Sequence, residues 1–197
     1  MSASEAEPTV GNPPTRERDA TVALRDLHGA VHSVGDEDLE RIARRLLEAK
    51  TIVCGGAGRE GLMMRALVMR LFHAGINAHV IGDMTCPAVG DGDLAVLSLG
   101  PGRLRTIETL ARIAHEAGAR TLCITAQPEL VPGEVFDDVL VIDAQTMASD
   151  SDSISVLPMG SAFEIAQLIL IDLITNRVRA GLAESIGDMR ARHTNLE

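Results

Sequence analysis

The residues best placed to do chemistry form a glycine-rich run, Gly55-Gly56-Ala57-Gly58-Arg59-Glu60-Gly61. It follows the apolar stretch Thr51–Cys54 and precedes an amphipathic one. Glycines there let the backbone approach an anion at a helix N-terminus. Gly56-x-Gly58-x-x-Gly61 fits the dinucleotide fingerprint, with Asp83 about twenty residues beyond. It fits a tight, ligand-free turn between strand and helix equally well, and a chain of 197 residues leaves no room for the separate substrate domain of a nicotinamide enzyme. A second loop, Leu99-Gly100-Pro101-Gly102-Arg103-Leu104, leads into Arg105 and Thr106, bringing two guanidinium groups and a hydroxyl to the start of another helix. Further on, Ser161-Ala162-Phe163-Glu164 reads as an S-x-x-E capping box, a role in which Glu164 starts a helix without catalysis. His28 and His32 lie one helical turn apart without an acidic or cysteine partner, so no metal centre is expected. Asp150-Ser151-Asp152-Ser153 has the acidic spacing to wrap a cation but reads rather as a mobile acidic loop near the site.

These residues need elements to hold them. Residues 1–18 carry four prolines and glycines among Ser, Thr and Glu and read as a disordered tail. Helical periodicity over 19–50 predicts an N-terminal helical segment. From 51 to 183 strand and helix alternate, with strands expected at Thr51–Cys54, Ala78–Ile81, Leu94–Leu97, Thr121–Ile124 and Val139–Ile142. Each is a short Val, Ile and Leu-rich run without polar alternation, the pattern of strands covered on both faces. The fold class is therefore α/β, a doubly wound five-stranded parallel sheet flanked by helices. Ligands of such sheets lie beyond the carboxyl ends of the strands. The loops to search are thus 55–61, 82–92, 99–106, 126–133 and 144–160. A last helix, from about Gly160 to Gly181, is apolar nearly all round, which calls for burial on more than one side and points to a homodimer or homotetramer. Residues 184–197 form a C-terminal tail expected to serve the site or a subunit interface.

Composition narrows the partners. Lys and Arg number 18 against 28 Asp and Glu, a formal charge of −10, which repels nucleic acid backbones. With three Phe and no Trp or Tyr, stacking on bases or sugar rings is nearly excluded. No apolar run is long enough to span a bilayer, and no basic region followed by an apolar stretch marks a secretion signal. Cys54, Cys86 and Cys123 lack CxxC spacing and suit free thiols in a reducing cytoplasm.

Five blocks of the chain together resemble the sugar isomerase (SIS) domain, in particular the 6-phospho-3-hexuloisomerases. Gly56-Ala57-Gly58-Arg59-x-Gly61-Leu62 is similar to that family's G-A-G-R-S-G-L. Met69-Arg70-Leu71-x-His73-x-Gly75 follows, and then Thr85-Cys86-Pro87-Ala88-x-x-x-Gly92-Asp93-Leu94. Pro158-Met159-Gly160-Ser161-x-Phe163-Glu164 and Met189-x-x-Arg192-His193-x-Asn195-Leu196-Glu197 complete the set. The resemblance implies a cofactor-free isomerase that interconverts hex-3-ulose 6-phosphate and fructose 6-phosphate through an enediol. It places the catalytic base on Glu164 and a second acid/base on His193. The substrate, a sugar or sugar phosphate, is expected at Gly56, Gly58, Arg59, Glu60, Gly100, Gly102, Arg103, Arg105 and Thr106.

The chain departs from the family where the phosphate docks. Four positions that carry hydroxyls in the family hold Glu60, Leu99, Pro101 and Leu104. Pro101 also removes a backbone N–H, and a carboxylate at position 60 would face a phosphate dianion. Arg103 and Arg105 offer compensation, or are solvated surface charges. Two further functions follow from the departures: isomerisation of an unphosphorylated or amino sugar, and a non-catalytic sugar-binding or structural SIS module.

Overall fold

Short apolar runs pair into one sheet because both their faces find apolar cover. In the computed structural model, which describes residues 15–148 and 155–196, the strands are β1 (Ile52–Gly55), β2 (Ala78–Val80), β3 (Leu94–Ser98), β4 (Arg120–Thr125) and β5 (Asp138–Val141). All neighbours run parallel in the order β2-β1-β3-β4-β5. Side chains alternate across it as the pleat requires. Ile52, Cys54, Leu94, Val96, Leu122 and Ile124 face the core shared with the helices α1 (Arg16–His32), α2 (Asp36–Glu48), α3 (Gly58–His73) and α5 (Ser161–Gly181). Val53, Ala95, Leu97 and Cys123 face the opposite side, under α4 (Arg105–Glu116). Cys54 and Cys123 are buried free thiols whose pKa values are driven up by burial.

Two boundaries differ from expectation. Thr15 caps α1, its hydroxyl accepting the Arg18 N–H at 3.3 Å, so residues 15–18 belong to the helix and not to a tail. Residues 1–14 and the Asp150–Ser153 segment lie outside the described residues. The C-terminal stretch also contains a helix, α6 (Ile186–Ala191), started by a Ser185–Asp188 capping box and too short to show periodicity. The long helix α5 is buried on more than one side, as its composition requires. Its apolar girth is absorbed by α1, α2 and α3 of the same chain, leaving Leu168 (37% exposed) and Ile169 (40%) on the surface.

The far end of α3 is clamped by the C-terminal segment. Arg192 Nη1 donates to the His73 carbonyl at 2.9 Å, and its guanidinium holds both Glu184 oxygens at 2.8 and 3.0 Å. A cation over the last carbonyls of a helix complements its dipole. His193 stacks on His73 with centroids 5.1 Å apart.

Candidate active site

The chain leaves β1 through α3 to reach β2 on one side, and leaves β3 through α4 to reach β4 on the other. Their loops therefore diverge at the β1/β3 boundary and open a crevice, the switch point of a doubly wound sheet. Gly58, at φ +57°, turns the chain into α3. The first turn then folds back so tightly that a Cβ on Gly61 would lie 2.7 Å from the Gly56 carbonyl oxygen. This tight turn aims the Glu60 side chain across the crevice at the loop after β3.

There the Glu60 carboxylate is held by two donors through Oε2, the Ser98 hydroxyl and the Gly100 N–H, the latter at 2.9 Å. Gln167 Nε2 of α5 donates to Ser98 Oγ at 2.9 Å and so directs the serine proton to Glu60. Burial raises the Glu60 pKa above the ordinary carboxylate value. The hydrogen bonds from Ser98 and Gly100 oppose that rise, and the nearby Glu164 charge adds to it. Gly100 must lack a side chain, because a Cβ would sit 2.9 Å from both Glu60 Oε1 and Phe163 Cε1.

Glu164 enters from the first turn of α5. The expected capping box does not form: Gly160 is the N-cap, and Ser161 falls one residue inside the helix. The Ser161 hydroxyl instead accepts from Arg59 Nη1 at 2.9 Å, and the Glu164 N–H goes to the Gly160 carbonyl at 3.0 Å. Relieved of capping, the Glu164 carboxylate is 13% exposed, with Oε2 2.9 Å from Arg59 Nε. The pair is at ion-pair distance, yet no N–H aims at this buried oxygen, so Oε2 lacks a directed hydrogen bond. Arg59, expected from the sequence to bind substrate, thus holds an acidic side chain at the cavity.

These groups line a cavity of about 270 Å³. Small-molecule pockets commonly span about 300–1,000 Å³, so this one suits a compact ligand. Of the residues expected to bind substrate or act on it, Arg59, Glu60 and Glu164 line it, and Gly100 braces Glu60 from behind. Pro101, Thr146, Met147, Pro158, Met159, Gly160, Ser161 and Phe163 supply the other walls. The loop 144–160 was marked for search by topology and its Pro158, Met159 and Gly160 by resemblance, whereas Thr146 and Met147 carried no signal. Met159 has φ 58°, a left-handed conformation that costs a side-chain-bearing residue about 1–2 kcal/mol. Strain of this kind is concentrated at functional sites.

The remaining expected residues lie elsewhere. Gly56 and Gly58 shape the turn without lining the cavity. Gly102, Arg103, Arg105 and Thr106 are also absent from its walls. Arg103 is bound by Glu108, with Nε–Oε1 2.9 Å and Nη2–Oε2 3.1 Å, because Glu108 turns back to cap the Leu104 N–H at the start of α4. Arg105 and Thr106 are exposed on the first turn of α4. His193 lies against His73, at the opposite end of α3 from Arg59. A rise of about 1.5 Å per residue puts roughly 20 Å between the two ends. Within one subunit, therefore, His193 does not join Glu164. Asp83, the acidic residue of the dinucleotide pattern, pairs with Arg65 at 3.2 Å.

Comparison with known proteins agrees with this architecture. The chain is 31% identical over 164 residues to a 3-hexulose-6-phosphate isomerase of Mycobacterium gastri, covering 83% of this chain and 82% of the relative. It is 29% identical over 175 residues to the 3-hexulose-6-phosphate isomerase of Bacillus subtilis, covering 88% and 95%. A Methanococcus jannaschii protein, whose crystal structure infers a molecular function of 3-hexulose-6-phosphate isomerase, superimposes with a TM-score of 0.77 at 26% identity, over 91% of this chain and 99% of that one. No family model matches the chain. A crevice at the β1/β3 switch point and relatives of this identity and coverage define the class: the chain belongs to the sugar isomerase (SIS) family. Within that family, relatives at about 30% identity are named 3-hexulose-6-phosphate isomerase.

Proposed function

We propose that the protein is a ketose isomerase of the 3-hexulose-6-phosphate isomerase type, with Glu164 as its base. The observation that carries this reading is the release of Glu164 from capping. It sits at a helix start yet does no capping, and it faces a cavity beside a guanidinium. Glu164 removes the proton from C2 of a 3-ketose as the electron pair forms the C2=C3 enediol and the carbonyl oxygen takes up a proton. Return of the proton to C3, with loss of the C2 hydroxyl proton, leaves the 2-ketose. Arg59 places positive charge beside the enediolate oxygen as it develops. The chemistry conserves oxidation state and asks for no cofactor.

His193 reaches such a cavity only from a neighbouring subunit. A homodimer or homotetramer is accordingly part of the proposal, with Leu168, Ile169 and the 184–197 segment as candidates for its contacts. The free thiols suit a cytoplasmic setting.

The test is an equilibration assay on purified protein, offering hex-3-ulose 6-phosphate and fructose 6-phosphate, and the same ketoses unphosphorylated. Interconversion of either pair, lost in Glu164→Gln, is the expected result. Absence of turnover on both pairs overturns the enzymatic reading and leaves a binding or structural module.

A further inference from the structure

The isomerase reading fixes where the proton moves; whether this chain keeps the phosphate named in its relatives at the far end of the sugar is a separate question. The surroundings of Glu60 decide that. At the carboxyl end of β3 two donors suited to an anion, the Ser98 hydroxyl and the Gly100 N–H, are both taken by Glu60 Oε2. The arrangement is built rather than incidental. Gln167, buried on α5, donates to Ser98 Oγ and fixes the direction of the serine proton. Gly100 is bare on the side where Glu60 Oε1 and Phe163 approach. Pro101, next along, has no N–H to offer. Glu60 Oε1 accepts none of these hydrogen bonds.

Charge points the same way. Among the described residues, the ionisable ones of the cavity wall are Arg59, Glu60 and Glu164, one cation against two carboxylates. The cation is already engaged by Glu164 and Ser161. A phosphate dianion brought to the Ser98–Gly100 turn would have to expel a carboxylate from its donors and remain beside it.

We propose that Glu60 is a specificity-determining residue: it stands as a built-in anion where a phosphate would dock, and selects a neutral ketose whose hydroxyl donates to Oε1. The inference rests on the reading of the cavity as a ketose site, but its test does not require turnover. Affinities of the full chain for fructose, fructose 6-phosphate and inorganic phosphate are measured by calorimetry and by thermal shift, for wild type, Glu60→Ser and Glu60→Gln. Thermal shift follows binding by mass action. Wild type is expected to bind fructose at least as tightly as its 6-phosphate and to ignore inorganic phosphate. Glu60→Ser should gain at least tenfold in affinity for the 6-phosphate, with inorganic phosphate competing. Glu60→Gln, which keeps the shape and drops the charge, gives the same direction should the serine variant fail to fold. Tenfold tighter binding of the 6-phosphate than of fructose by wild type, or no ligand response in any of the three proteins, overturns the proposal. An inactive wild type with the expected preference removes the isomerase reading and keeps this one; turnover of the 6-phosphate pair alone does the reverse.

Discussion

The Glu60 carboxylate on α3 accepts the Gly100 N–H from the loop after β3 at 2.9 Å, joining the two loops that diverge at the switch point. This contact closes the crevice floor with a negative charge from the protein itself. It also ties the shape of the cavity to the protonation of a single side chain, and the first two expectations follow from it.

Gly100 should tolerate no side chain. A Cβ there would lie 2.9 Å from Glu60 Oε1 and Phe163 Cε1, and Phe163 is 1% exposed with little freedom to move. Overpacking of this kind costs about 1–3 kcal/mol. Gly100→Ala is expected to lower the urea midpoint accordingly, and an unchanged midpoint would show that Glu60 does not rest on this turn.

Glu60 should make stability fall as pH rises. Its folded pKa lies above the unfolded value, raised chiefly by burial. Below the unfolded value, about 4.3, both states hold the proton and the full contribution is present. Above it the unfolded chain releases the proton first, so ionisation favours unfolding until the folded pKa is passed. Paired urea titrations of wild type and Glu60→Gln should show wild type losing ground from about pH 4 upward. Wild type gaining on the variant over that range would mean that the hydrogen bonds from Ser98 and Gly100 outweigh burial.

Assembly and the role of His193 can be tested together. Light scattering should give a mass that is a multiple of 20.9 kDa, reduced towards the monomer by Leu168→Glu or Ile169→Glu. If His193 serves a neighbour's cavity, mixing inactive Glu164→Gln with inactive His193→Ala should restore turnover in mixed assemblies. Full activity of His193→Ala alone would assign His193 to the clamp on α3 and nothing more.

Much of this architecture was legible in the residues. Strands read from uninterrupted Val, Ile and Leu runs fall within a residue or two of their observed limits, because double coverage of a parallel sheet leaves that mark directly. The glycine turn and its neighbours Arg59 and Glu60 were legible for a similar local reason. Glu164 was found by resemblance, while its local pattern suggested a cap; only the one-residue offset of Ser161 inside α5 separates the two roles, and no spacing rule reveals it. Arg103 looked like a ligand for anions because its partner, Glu108, lies a helical turn further on and turns back to the cap. The walls Thr146 and Met147 come from an irregular loop of ordinary residue types, where position is set by tertiary packing alone.

The most direct test of Glu164 as the base is proton exchange at carbon. Proton NMR of fructose and of fructose 6-phosphate, each incubated with the protein in deuterium oxide, follows the hydrogen on C3. Wild type is expected to replace it with deuterium, and Glu164→Gln to slow that exchange by roughly 10²–10⁴-fold while ligand-induced thermal shifts persist. Retention of the C3 hydrogen by wild type, or exchange at an equal rate by Glu164→Gln, would contradict the account.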